Sequence, residues 1–186
     1  MIEFNHEGKI FNFRNKETEI TLKEFSKVSE IMSTDGLLFE KWLDAIDILG
    51  DEGLSDVITE DGVLAIIKET AITNIENEVP ETVTVNGREY VTKLKDGKLS
   101  LSGKDLSAIE RAAKKGGDWG CLAIAICYKD TELSNTEHYT EAHIKHKANL
   151  FGEHLTAKEG APIFFQLQQK FVEHMNAVSN AYSKPV

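Results

Sequence analysis

Residues 119–128 form the longest mostly apolar run in the chain, with the sequence WGCLAIAICY. The run is too short to span a bilayer and lies between polar segments, so the rest of the chain must bury it. Its alanines favour a helix, although Ile124 and Ile126 would also suit a buried strand. We therefore predict a central helix around which the other elements pack, and we keep a strand as the alternative.

The composition is that of a folded protein with an acidic surface. The chain has 186 residues, of which 41% are hydrophobic and 28% charged, enough for one well-buried domain or for two small lobes that share a core. Its formal net charge of −10 repels phosphate backbones and anionic lipid, so we expect neither nucleic acid nor a membrane as a partner. The first residues lack a basic segment followed by an apolar one, which predicts a cytoplasmic protein.

Two cysteines, Cys121 and Cys127, fall in the apolar run. In a helix they would stand roughly 9 Å apart along the axis, beyond the reach of a disulfide bond. We predict that both are buried thiols in a reducing compartment.

Residues 1–79 are predicted to form a β-hairpin followed by three helices. Apolar and polar residues alternate along residues 2–13 around a turn at Gly8. Thr21 and Glu24 have the spacing of a capping box, which predicts the start of the first helix. The second and third helices are predicted over residues 37–49 and 59–78. Their predicted buried positions are Leu38, Trp42, Ile46 and Leu49 in the second helix, and Val63, Leu64, Ile67, Ala71 and Ile75 in the third.

Residues 80–117 are predicted to form a second hairpin and a further helix. Asn86-Gly87 between β-forming residues favours a two-residue type I′ turn. Another turn is predicted at Asp96-Gly97. A helix is then predicted to start at residues 102–105 and to end at Gly116-Gly117.

The two hairpins and the segments after them resemble each other. With one constant offset, Gly8 matches Gly87 and Thr21 matches Ser100. The match continues into the following helices after a two-residue insertion. We predict that one unit of hairpin, short strand and capped helix is used twice, with a chance likeness of two common β-β-α patterns as the alternative.

Residues 118–186 are predicted to be helical and to pack on the rest of the chain in one compact unit. A polar helix is predicted from Thr136, and a long final helix follows a second capping box at Thr156 and Glu159. The final helix has a regular apolar stripe formed by Phe164, Leu167, Phe171, Met175, Val178 and Tyr182. The predicted fold class is therefore α+β and mainly helical, with two small β-hairpin units each followed by a helix and with a helical C-terminal half.

The chain has few candidates for chemistry. His143 and His146 would share a helix face, as zinc ligands can, but a third ligand would be needed and no His-Glu-x-x-His motif is present. A solvated helix surface explains these histidines better, and it also explains Asp44 and Asp47. The sequence contains no Gly-x-Ser-x-Gly, phosphate-loop or dinucleotide-binding motif. We therefore predict a protein without enzymatic activity, cofactor or metal.

Aromatic side chains of the final helix are the predicted protein-binding residues, because interface hot spots are enriched in aromatic residues. The predicted set is Phe164, Phe165, Phe171, Met175, Val178 and Tyr182. The alternative is that this stripe packs on the protein's own core for most of its length, with the distal end left free.

Four features follow one another along the chain: a strand-Gly-Lys-strand hairpin at Gly8-Lys9, a capped helix, a middle helical section, and a helical half with an apolar-Phe-Phe segment at residues 161–165. In this arrangement the chain resembles tailed-bacteriophage tail assembly chaperones. The resemblance implies a small acidic protein of the host cytoplasm that binds another phage tail protein with tape-measure-like helices. The second hairpin departs from the family pattern.

Three other functions are compatible with the same features. A virion structural protein of the tail or baseplate would remain in the particle. A metal-dependent enzyme would use His143 and His146, and an acidic inhibitor would cover a basic site on its target. Self-association into a homo-oligomer is compatible with each of them.

Overall fold

The computed structural model describes residues 1–70, 78–115, 119–133 and 140–182, with only the backbone at 113, 115 and 171–182. The described residues form a mainly helical α+β fold, as predicted. The strands are β1 (Ile2–His6), β2 (Lys9–Phe13), β3 (Thr82–Val85), β4 (Arg88–Thr92), β5 (Leu94–Lys95), β6 (Lys98–Leu99) and β7 (Tyr128–Asp130). The helices are α1 (Leu22–Ser33), α2 (Leu38–Leu49), α3 (Leu54–Val57), α4 (Glu60–Glu69), α5 (Gly103–Lys115), α6 (Trp119–Cys127), α7 (Glu141–His154) and α8 (Ala157–Tyr182).

The apolar run forms helix α6, and the prediction of a central helix is confirmed. Helices α1, α5, α7 and α8 all pack against α6. All of its residues except Trp119 and Leu122 are buried. A helix that is apolar on every side requires such a position in the core. Both cysteines are buried and neither forms a disulfide bond, as predicted.

The C-terminal part is not wholly helical, because Tyr128–Asp130 form strand β7 directly after α6. Strand β7 pairs antiparallel with β4, which also pairs with β3 in a three-stranded sheet. Three residues are too few for a period-2 pattern. Strand β7 therefore forms because β4 offers it an edge for pairing, and the sequence of residues 128–130 alone does not predict that pairing.

Both predicted hairpins are present, and each has a turn of two residues with positive φ. The φ angles are +51° and +83° at Glu7-Gly8, and +52° and +76° at Asn86-Gly87. Such pairs define the type I′ turn, whose twist matches that of the strands. The predicted turn at Asp96-Gly97 has the same geometry and joins β5 to β6.

Helices α1 and α5 begin with the same hydrogen-bond network. The Thr21 N–H donates to the Glu24 carboxylate at 2.9 Å, and the Glu24 N–H donates to the Thr21 hydroxyl at 3.3 Å. Ser102 and Asp105 repeat these bonds at 2.7 and 3.2 Å. The capping box predicted at Thr21 is confirmed, and its counterpart uses Asp in place of Glu.

A cation that precedes each helix completes the repeated network. Arg14 pairs with Glu24 at 2.8 Å, and Lys93 pairs with Asp105 at 2.6 Å. Burial would by itself raise the pKa of both carboxyl groups, but the hydrogen bonds from the capping residue and the cation lower the pKa of each below its usual value. Both helix starts are therefore fixed to the hairpin before them.

The repetition extends beyond the predicted hairpin-helix unit. Helix α2 ends at Leu49 and α6 at Cys127, and their last carbonyls accept hydrogen bonds of 3.0 and 2.9 Å from the backbone just after the hairpin. The chain then pairs with the second hairpin strand, through a Phe13–Gly50 bridge in the first half and through β7 in the second. A capping threonine starts α4 in the first half and α7 in the second. The two halves therefore share a hairpin, two helices, a return segment and a further capped helix, and they differ in the short helix α3 of the first half and the β5–β6 hairpin of the second.

We call residues 2–69 the first unit and residues 82–154 the second unit. In the structure the repeated unit is longer than the predicted hairpin and helix. One detail of the predicted alignment between the two halves was wrong. Thr21 is equivalent to Ser102 and not to Ser100, because the two inserted residues belong to the β5–β6 hairpin. The predicted segment boundary at residue 117 lies between α5 and α6, within the second unit.

The second unit and α8 cover one face of α1. Leu22 and Ser26 are buried on this face. Gly160 of α8 and Gly120 of α6 approach so closely that an added Cβ would overlap the side chains of Leu22 and Ser26, respectively. A backbone bridge also joins the start of α1 to the start of α8. The two units therefore share one continuous hydrophobic core.

The predicted buried faces of the second and third helices were partly wrong. Leu38 is 63% exposed and Leu64 is 44% exposed. The buried positions are Ala45, Ile46 and Leu49 in α2, and Val63 and Ile66 in α4. Both helices lie at the edge of the fold, where only one side is covered. The predicted positions Ala71 and Ile75 lie outside the described residues.

Candidate functional site

Near the start of α8, two adjacent phenylalanines that were both predicted to bind a partner differ in exposure. Phe164 is 4% exposed and packs edge-on against Phe25, with ring centroids 5.9 Å apart. Its ring also lies 5.3 Å from that of Trp119. Phe165 is 41% exposed, although its ring centroid is still 6.4 Å from that of Phe25. Phe164 is therefore a core residue, and Phe165 is available at the surface.

The rest of the predicted binding set lies farther along the same helix. The backbone of α8 is helical over 26 residues and ends at Tyr182. The side chains of Phe171, Met175, Val178 and Tyr182 lie outside the described part of the chain. These four positions therefore remain predictions.

An apolar groove lies in the second unit between α5, α6 and α7. Its volume is about 490 Å³. The apolar lining consists of Ala108, Ala112, Leu122, Ile126 and Ile144. Gly103 and Ser107 of α5 are exposed along the same side and keep it open. A groove of this size and lining suits an apolar helix face.

Basic side chains edge this groove. Lys104 and Arg111 project from α5 and are exposed. On the opposite side, Lys145 pairs with Glu141 at 3.2 Å across one turn of α7. The groove therefore combines an apolar floor with a positively charged α5 edge, which favours a partner with acidic residues around an apolar patch.

The two candidate metal ligands differ in exposure. His143 is half-buried and His146 is exposed on α7. Burial lowers the pKa of His143, and the nearby Lys147 charge lowers it further. Among the described residues, no group of three or more His, Cys, Asp or Glu side chains could hold a metal ion.

Sequence reasoning missed one buried titratable group, the side-chain amine of Lys147. The Lys147 side chain is 2% exposed, and its Nζ donates a hydrogen bond of 2.7 Å to the Tyr128 carbonyl. Burial lowers its pKa to about 8, and the Lys93 charge also lowers it. A lysine on a polar helix gives no sequence signal of burial, and only the structure shows that it occupies the position of the buried Ile66 of the first unit.

The buried thiol of Cys127 is chemically unreactive. Burial raises its pKa to about 12, so the nucleophilic thiolate is scarce near neutral pH. Burial likewise raises the pKa of the neighbouring Tyr128 hydroxyl. These groups belong to the core of the second unit and are not exposed to a substrate.

The chain matches no family model, no curated protein and no solved structure. Within the described residues, no helix is both long enough and apolar enough to cross a bilayer.

Proposed function

We propose that this protein is a non-enzymatic phage tail assembly protein that binds a helical segment of another tail component along the outer side of α8. The observation that carries the proposal is the exposure of Phe165 next to the buried Phe164. An aromatic ring at the surface, held by a helix whose other side is fixed in the core, is suited to act as an interface hot spot. The resemblance to tail assembly chaperones supplies the class of partner.

The length of α8 supports binding to an elongated partner. Its 26 residues correspond to about 39 Å of helix. A helix of that length can pair with several turns of a tape-measure-like helix through apolar residues spaced by three and four. Such pairing would cover apolar surface of the partner before the tail tube forms around it.

Affinity capture from cells that produce the phage proteins tests the proposal. The tagged full-length protein is expected to retain a long helical tail protein, identified by mass spectrometry, and Phe165→Ala is expected to lower the recovery about tenfold. Ile10→Ala is the matched control, because Ile10 is also exposed and lies on the β1–β2 hairpin, outside α8. Equal recovery with Phe165→Ala, or no tail protein with the wild type, would contradict the proposal.

A further inference from the structure

The two units differ in what covers their first helix. In the first unit, Leu22 and Ser26 of α1 are buried by the second unit and α8. The equivalent residues of α5 are Gly103 and Ser107, and both are exposed. We call the exposed side formed by Gly103, Lys104, Ser107 and Arg111 the α5 face. It is the counterpart of a surface that already serves as an interface within the chain.

The first unit carries the counterpart of the surface that covers α1. In the second unit, Gly120 contacts Ser26, and Cys121 and Ala148 line a small cavity beside Lys23 of α1. The residues equivalent to these three are Trp42, Leu43 and Ile67, all of them half-buried hydrophobic residues. Beside them lie Leu38, Phe39 and Leu64, which are 63%, 43% and 44% exposed. We call these six residues the α2–α4 face.

The charges of the two faces are complementary. The first unit, residues 2–69, contains 16 acidic and 7 basic residues, a net charge of −9, whereas the second unit, residues 82–154, contains 10 acidic and 11 basic residues, a net charge of +1. Exposed acidic residues of α2 and α4 include Glu40, Asp44, Glu60 and Asp61. Lys104 and Arg111 edge the α5 face. The two elements that carry the α2–α4 face are therefore rich in exposed acidic groups, whereas the α5 face is edged by basic ones, which favours pairing of the two different faces over pairing of two α2–α4 faces.

We propose that copies of this protein associate head to tail, with the α2–α4 face of one copy on the α5 face of the next, repeating the contact between the two units of one chain. The occupant of the α5 face is thus a second copy of this chain. The two faces are different surfaces, so each copy of a head-to-tail dimer still has one unoccupied face. Association therefore continues beyond a dimer unless the rotation between successive copies closes a ring. Stacking of repeated units in this way extends a continuous core, as in solenoid proteins.

Sedimentation velocity of the full chain over a range of concentrations tests the proposal. The expected result is a series of species that grows past the dimer with concentration. A protein that stays monomeric throughout would overturn the proposal.

Two surface variants sharpen the test. Leu64→Glu places a charge on the α2–α4 face and Ser107→Glu places bulk and a negative charge on the α5 face, and each is expected to lower self-association at least about tenfold. A mixture of the two is expected to form a 1:1 dimer and nothing larger, because each variant retains the face that the other lacks. No dimer in the mixture, or unchanged association of either variant alone, would refute head-to-tail stacking.

Matched controls separate the interface from the fold. Ile10→Glu adds the same charge at an exposed hydrophobic residue outside both faces, and Ser107→Ala changes the same α5 position without adding bulk. Both controls are expected to associate like the wild type. Far-ultraviolet circular dichroism and thermal unfolding verify that each variant is folded.

Discussion

Lys147 illustrates how one residue changes the chemistry of a repeated position. Its counterpart in the first unit, Ile66, is a fully buried aliphatic residue. At Lys147 the same position carries an amine that donates to the Tyr128 carbonyl at the start of β7. Burying an ammonium group is costly, which is why its pKa is lowered to about 8.

Lys147 should make stability depend on pH. Its folded pKa of about 8 lies below the ordinary value of 10.5, so between these values the unfolded chain binds more protons than the folded one. Stability from this group therefore rises with pH in that window. Relative to Lys147→Met, the wild type is expected to gain about 1 kcal/mol per pH unit between pH 8 and pH 10, as measured by urea unfolding. This gain is below the limiting value of about 1.4 kcal/mol, because the amine is partly protonated in the folded state near pH 8 and partly deprotonated in the unfolded state near pH 10.

The comparison with Lys147→Met is needed because neighbouring groups act in the opposite direction. Burial raises the pKa of Cys127 and Tyr128, and this lowers the stability of the folded state as pH rises above their ordinary values. Both residues are present in both proteins, so their contribution cancels in the difference. A difference that does not vary between pH 8 and pH 9 would show that Lys147 has no lowered pKa.

Glycines determine how closely the helices of the two units approach each other. Gly160 lies against the buried Leu22, and a Cβ there would overlap its side chain. Gly103 is the first residue of α5, and a Cβ there would meet nothing within 4 Å. These two helical glycines therefore differ in packing although both have ordinary backbone angles.

Gly160→Val is expected to lower the free energy of unfolding by about 2 kcal/mol, because overpacking must displace Leu22 or shift α8 away from α1. Gly103→Val is the control, and its effect is expected to stay within about 0.5 kcal/mol. Chemical denaturation at low protein concentration measures both values. Equal effects of the two substitutions would mean that the contact between α8 and α1 is not tightly packed.

At the scale of the whole molecule, the shared core predicts one cooperative unfolding transition. Trp42 lies in α2 of the first unit, and Trp119 lies in α6 of the second. The variants Trp119→Phe and Trp42→Phe each leave one tryptophan as a fluorescence probe of one unit. The two probes are expected to give coincident urea transitions, because α1 of the first unit is covered by elements of the second.

Separate transitions for the two probes would show that the units unfold independently. In that case the contact of the second unit with α1 would contribute little to stability. Circular dichroism in the same urea series supplies a probe of the whole chain and controls for any effect of the Phe substitutions on stability.

The resemblance between the units was partly readable because it rests on local signals. The paired glycines at Gly8 and Gly87 and the cap at Thr21 predict turns and helix starts from a few adjacent residues. The exact match of Thr21 with Ser102 was missed, because the inserted β5–β6 hairpin can be placed only by the hydrogen bonds around Asp105. The difference in exposure between Phe164 and Phe165 was also missed. The apolar spacing of a helix does not show which other element covers each side chain.

The sequence by itself determined the elements with strong local preferences: the type I′ hairpins, the capping box of α1 and the mainly helical α+β class. These depend on turn geometry, capping and apolar periodicity, which act over a few residues. For residues 119–128 the sequence favoured a helix and left a strand open. The tertiary structure alone decided that β7 is a strand, that Lys147 is buried, and that α1 is covered while the equivalent α5 face is open. Those outcomes depend on contacts between residues far apart in the chain, so similar local sequences acquire different surroundings.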